Sequence, residues 1–304
     1  MKKVEPKHFI HPRFNIGWHN FKFTLPLSWE VTSYTMNPSN GLIGFANITG
    51  PLGQVTWRKV KEEPDVKKIM NEVHRRYLED EKPDLEKTFS TMQFITVNDI
   101  HISWDCVGER FYASTYQAEK KLLIEWIFPS YSKEALAVVK TMLVTFKENL
   151  PFDDKIFFGG WGLEVFVPKG YELTKVMSLP AAVSMEFENK SHHRIIAHRW
   201  GLPEIIFENS NLTNFYHNFL YTKCRFSVKK VQDASFFNKE GTSIQFKTRG
   251  RWGFDFLLGP WWHGEASAFW NKDENRIYAV EHIAPGRSKN KYNVETLFGD
   301  KYYA

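Results

Sequence analysis

The 304-residue sequence predicts an α+β protein made of two repeated units, each an antiparallel β-sheet packed with helices. Three observations carry that expectation. Aromatic residues reach 16% of the chain, with 26 Phe, 12 Tyr and 11 Trp, and such side chains suit the half-buried face of a pleated sheet. Short segments recur in the same order in both halves. Between them lie stretches whose apolar residues repeat at helical spacing.

The recurring segments define the units. Residues 22–32 read KFTLPLSWEVT and residues 164–174 read EVFVPKGYELT. Each is an alternating apolar strand followed by Pro-x-x-aromatic-Glu-aliphatic-Thr, with Pro26 and Pro168 at an offset of 142 and Trp18 and Trp161 just ahead. QVTWRK (54–59) then meets IIAHRW (195–200), which sets Trp57 opposite His198. ASTYQAEKKLLIEWIFP (113–129) matches AFWNKDENRIYAVEHIA (268–284) at an offset of 155, each reading as two strands and a polar turn. A shared order of this kind predicts two copies of one unit. They span 1–150 and 151–304, joined near ENLPFDDK (148–155), where Pro and acids interrupt the pattern.

Three stretches read as helices. EPDVKKIMNEVHRRYLED (63–80) sets Val66, Ile69, Met70, Val73 and Tyr77 on one face, with Pro64 at the first turn. In SKEALAVVKTMLVTF (132–146), Ser132 caps a face of Leu136, Val139, Leu143 and Phe146. SNLTNFYHNFL (210–220) repeats the spacing with Leu212, Phe215, Tyr216 and Phe219. Three alternating segments lie between the helices of each copy, and the basic GRSKNKYN (286–293) reads as a loop before a last short helix. This order, with PLSWE and PKGYE closing the first strands, resembles the PsbP/Mog1-like group of small α+β domains. That resemblance implies a binding or assembly module, since known members are largely non-catalytic, and it names no partner.

The copies differ most where the offset grows from 142 to 155, so the second carries 13 extra residues, an extended hairpin insertion near 249–265. There Trp252, Phe254 and Phe256 alternate, Gly259-Pro260 turns the chain, and Trp261, Trp262, His263, Gly264 and Glu265 follow. An aromatic-rich insertion on a rigid scaffold is a place to bind, so Trp252, Trp261, Trp262, His263 and Glu265 are the candidate binding residues. Adjacent strand residues face opposite ways, so one of Trp261 and Trp262 should pack inward and the other face out. His263 and Glu265, two apart and on one face, are the weak alternative as an acid/base pair in a small-molecule enzyme with a cleft between the copies.

Other chemistry finds little footing. The chain has no Gly-x-Ser-x-Gly elbow and no phosphate-cradling glycine loop, so no cofactor is expected. His192, His193 and His198 lack a zinc-type spacing, and Cys106 and Cys224 stand far apart, so neither a metal site nor a disulfide is expected. The net charge of +5 is spread through mixed runs, a solvated surface rather than a nucleic-acid footprint. Trp57, Trp104, Trp126, Trp252 and Trp270 suggest stacking platforms, but their alternation is that of core residues. A nucleic-acid accessory role is therefore the third reading. The N-terminus lacks an apolar signal core and no run nears the roughly 18 apolar residues of a membrane helix, so a cytoplasmic location is expected and the sequons at Asn47, Asn189 and Asn211 carry no weight. The expected function is non-catalytic binding of a protein or small-molecule ligand.

Overall fold

Strands hydrogen-bonded to their neighbours in antiparallel fashion account for most of the chain in a computed structural model. It describes residues 13–65, 68, 69, 72, 75, 93–97, 100–107, 110–128, 133–224, 227–249, 261–285 and 294–298. The contacts divide the chain into Met1–Leu150 and Pro151–Ala304.

The N-terminal unit opens with a hairpin, β1 (Arg13–Trp18) and β2 (Phe21–Pro26). β3 (Glu30–Tyr34), β4 (Asn40–Asn47) and β5 (Gly50–Lys59) follow, then β6 (Gln93–Val97), β7 (Ile100–Val107), β8 (Arg110–Gln117) and β9 (Leu122–Phe128). These seven form one sheet in the order β3-β4-β5-β9-β8-β7-β6. Helix α1 (Lys133–Thr145) and the short β10 (Lys147–Glu148) close the unit, β10 pairing with β2. The C-terminal unit repeats that order. Its hairpin is β11 (Lys155–Gly160) and β12 (Leu163–Pro168), followed by β13 (Tyr171–Leu179), β14 (Ala182–Asn189) and β15 (Arg194–Gly201). Helices α2 (Pro203–Ile206) and α3 (Leu212–Cys224) lead to β16 (Ser227–Phe236), β17 (Lys239–Arg249), β18 (Trp261–Asn271) and β19 (Arg276–Pro285), with α4 (Val294–Leu297) last. The sheet order is β13-β14-β15-β19-β18-β17-β16, strand for strand that of the first.

The α+β expectation and the resemblance to PsbP/Mog1-like domains are both overturned, because the fold is mostly antiparallel β-sheet. The helical periodicities at 132–146 and 210–220 do mark helices, α1 and α3. The class was misjudged on the strands. Four follow the first-helix segment of each unit rather than three, because β16 is almost wholly solvent-facing and shows no apolar alternation. Of the helix expected at 63–80, Lys68, Ile69, Glu72 and Arg75 are helical, Glu63, Pro64 and Asp65 precede it in non-helical backbone, and the rest lies outside the described residues, as does 286–293.

The shared Pro-x-x-aromatic-Glu-aliphatic-Thr motif has a structural reason. In both units its Thr is the extra residue of a β-bulge: pairing skips from Val31 to Ser33 in β3 and from Leu173 to Lys175 in β13. The bulge shifts the parity of the strand. Leu173 and Val176, three apart, therefore both pack into the core. Two alignments need correcting by one residue. Trp161 lies in the β11–β12 turn at φ +51, the position held by His19 at φ +43, not by Trp18. The closing hairpins match at 154 rather than 155, because Lys121 (φ +50) and Asn275 (φ +52) occupy the same turn position. A one-residue slip of this kind exchanges the two faces of a strand.

In the N-terminal unit the core is aromatic. Trp57, Trp126, Phe21, Phe23, Phe45, Phe128 and Phe146 are all fully buried. Phe21 meets Trp57 edge-on at 5.4 Å, and Trp126 meets Phe146 at 4.8 Å. Val139, Met142, Leu143 and Phe146 turn α1 inward, and the Thr24 N–H donates to Thr145 Oγ1 at 3.0 Å. In the C-terminal unit Leu212, Tyr216 and Leu220 of α3 pack on Ile196, Ile244, Phe246, Ala266, Ala268, Ile277 and Ala279. Trp57 and Trp126 are thus core residues, and Trp270 is half-buried against Phe207 at 5.1 Å; the side chain of Trp104 and all of Trp252 lie outside the described residues. Truncating Trp126 to Ala should lower stability by roughly 3–5 kcal/mol, measured by urea unfolding.

Candidate functional site

Strand β18 splits the GPWWHGE segment between the two faces of its sheet. Trp262 points to the face covered by α3 and packs half-buried against its core, with the Arg194 guanidinium 5.0 Å from its ring. Trp261 points the other way and is 44% exposed, with Lys247 Nζ 6.0 Å from its ring. Each tryptophan therefore carries a cation of its own. The inward and outward division expected of the pair is what the strand provides.

Three rungs across the sheet build the face that Trp261 shares. Ser227, Lys247, His263 and Ala284 face one another on β16, β17, β18 and β19; Lys230, Gln245, Glu265 and His282 form the next rung; Gln232, Ser243, Ser267 and Val280 the third. His263 and Glu265 are half-buried, and the Gln245 side-chain amide donates to Glu265 at 3.2 Å. Gly264, between them, points to the opposite face, where a Cβ would lie 2.2 Å from the Phe246 ring. The glycine is there because the cross-strand phenylalanine covers it. At the far end of the strand Phe269, Tyr278, Phe237 and Phe298 close the same face with ring contacts between 5.2 and 6.1 Å.

The histidines singled out from the sequence go separate ways. His192 lies 2.7 Å from Glu188 at the surface. His193 approaches His282, ring centroids 5.8 Å apart. His198 is buried, its Nε2 2.7 Å from Glu281 Oε1, stacked on Trp200 at 5.0 Å and met edge-on by Phe219 at 5.1 Å. Among the described residues no group of three or more His, Cys, Asp or Glu is placed to hold a metal ion. The side chains of Cys106 and Cys224 lie outside them.

Sequence reasoning missed the His198–Glu281 pair. A signal was present: in IIAHRW and YAVEHIA the residues two away on the same face are apolar, Ile196 and Trp200 beside His198, Ala279 and Ile283 beside Glu281, and a buried charge needs a partner. Walled in by Trp200, Phe219 and the α3 core, the pair has the geometry of a catalytic dyad without exposure to a substrate. Its role is structural.

His282, which faces Glu265 across the strands, is held neutral. Burial lowers its pKa from 6.5 to about 4, and His193 acts in the same direction. His19 in the N-terminal unit is likewise lowered to about 4 by burial, partly offset by a backbone hydrogen bond with Met36.

Fold and site together define a mostly-β chain of two units whose candidate site is a polar sheet face bearing an exposed tryptophan. No family model matches the chain and no curated protein matches it. Among solved structures it is similar to the apo immunity protein TplEi of the T6SS from Pseudomonas aeruginosa, at 10% identity and TM-score 0.32, over 95% of this chain and 92% of that one. It is similar, over the same shares and at 10% identity, to a chain of the Tle4–Tli4 complex at TM-score 0.34. TplEi bound to an "L" peptide matches in the same way at 0.32. Likeness at this level transfers neither fold nor partner to this chain. Among the described residues no helix is long and apolar enough to cross a membrane.

Two outcomes are expected here. Removing one member of the buried pair, Glu281→Ala, should destabilise the protein by about 3–5 kcal/mol in urea unfolding, since the imidazole is left without its carboxylate. A histidine whose folded pKa is depressed favours folding fully above its unfolded value of 6.5 and progressively less as pH falls towards 4. Stability should therefore drop between pH 6.5 and 4, His282 contributing on the order of 2–3 kcal/mol. His282→Gln, which cannot be protonated, should flatten that limb when unfolding is compared at pH 7 and pH 5, leaving the part due to His19.

Proposed function

We propose that the chain is a non-catalytic binding protein made of two copies of one unit, 1–150 and 151–304, and that its ligand is another protein. The observation that supports this most is Trp261, a large aromatic held 44% exposed on a regular strand rather than on a loop. Such side chains are the commonest anchors of protein interfaces, because a rigid ring gains contact area with little loss of rotamer freedom. Lys247, Gln245, His263 and Glu265 supply hydrogen-bonding groups around it. Glu265 takes its hydrogen bond from Gln245, so no observation favours the acid/base reading of His263 and Glu265 over binding.

Immunity proteins are one class that would fit this reading. Tli4 is described in complex with Tle4, and TplEi with a peptide. Cross-linking of the full chain in extract of its native cells, followed by mass spectrometry, identifies the partner, and titration of that purified protein measures affinity. Trp261→Ala should weaken binding by about tenfold or more while the melting temperature stays within about 2 °C. Trp262→Ala should lower the melting temperature instead. Unchanged affinity in Trp261→Ala would remove this face as the site.

A further inference from the structure

At the opposite end of β18 from Trp261, about 30 Å along the strand, the C-terminal unit exposes a ridge of large apolar side chains. Leu179 is 54% exposed, Leu202 47% and Ile205 58%, with Pro180 and Ala181 also exposed between them in sequence and space. Backbone contacts bring its parts together. Leu179 pairs with Ala182 at the β13–β14 turn, the Gly201 N–H donates to Ala181 O at 2.8 Å, and the Ile205 N–H donates to Leu202 O at 3.1 Å.

Leu202 occupies the left-handed region at φ +58, ψ +46, where the Cβ of an L-residue is crowded. A leucine is tolerated in such a conformation when its side chain packs inward and offsets the strain. Here half of it faces solvent, so burial does little to offset the strain. Residues held in sparsely populated backbone regions cluster at functional sites.

The rim of the ridge is acidic in a chain that is basic as a whole. Glu204 and Glu208 flank Ile205, and Asn275 Nδ2 donates to Glu204 at 2.8 Å, joining α2 to the β18–β19 turn that carries Asp273 and Glu274. The carboxylates of that turn are engaged, Asp273 with Lys239 at 3.3 Å and Glu274 with the Tyr278 hydroxyl, so the rim open to a ligand is Glu204 and Glu208. Of the nearby cations, Lys272 lies 4.9 Å from the Trp270 ring and Arg276 donates to Asn275 O at 2.7 Å.

We propose that this ridge and its rim dock a basic amphipathic segment of a partner protein, apolar side chains on Leu179, Leu202 and Ile205 and lysines or arginines against the carboxylates. The surface is separate from the Trp261 face, and a segment bound here would leave that face open.

A fluorescein-labelled synthetic helix made only of Leu and Lys in amphipathic spacing, titrated with the full chain and followed by anisotropy, tests this. It should bind saturably, and its Leu/Glu counterpart should not. Leu202→Gly should weaken binding about tenfold or more while its melting temperature stays equal or rises, because glycine relieves the left-handed backbone as it removes the contact. Glu204→Lys with Glu208→Lys should weaken it too, and Trp261→Ala should leave it unchanged. Equal affinity in Leu202→Gly, equal binding of the Leu/Glu helix, or Leu202-dependent capture of phosphatidylcholine vesicles in place of the peptide would each overturn the proposal.

Discussion

An antiparallel strand sends neighbouring side chains to opposite faces, and this alternation governs most of what the protein is. It lets one sequence segment serve two surfaces. Trp262 joins the core under α3, while Trp261, one residue earlier, stands in solvent on the other side. The same alternation fills the space between sheet and helix in the C-terminal unit with every second residue of β15, β17, β18 and β19. It also places His198 and Glu281 on that buried side. Once the face is set, two ionisable groups in apolar strands must find one another or leave the core.

The bulges show how the alternation is corrected where the core requires it. Were Thr174 paired regularly instead of bulged, Leu173 and Val176, three apart, would face opposite ways and one would lie in water. Thr32 does the same for β3, where Val31 and Tyr34 pair with Phe45 and Ile43, both core residues. The Pro-x-x-aromatic-Glu-aliphatic-Thr motif is therefore a strand entrance with a built-in change of parity.

Much of the local structure was legible in the sequence. The opposite orientations of Trp261 and Trp262 and helices α1 and α3 all follow from periodicity. The fold class was not. Strand β16, SVKKVQDASF, forms at the edge of a sheet where backbone pairing rather than side-chain burial holds it, so it leaves no alternating apolar pattern to read. With three alternating segments counted between the helices of each copy instead of four, helices seem a larger share of the fold than they are. The one-residue misalignment of the closing hairpins has a different origin, because apolar residues buried on both faces of β9 and β19 leave two registers nearly equivalent by composition. The His198–Glu281 pair joins strands far apart in sequence, and only the sheet order brings β15 beside β19.

Open sheets end in strands whose outer backbone groups invite another chain to add on. Three edge strands here, β3, β13 and β16, are each interrupted by an extra residue, and in β16 that residue is Lys229. A kinked, charged border is a poor template for an incoming strand. The distortion that seats core residues in β3 and β13 thereby also discourages molecules from zipping together along these three borders.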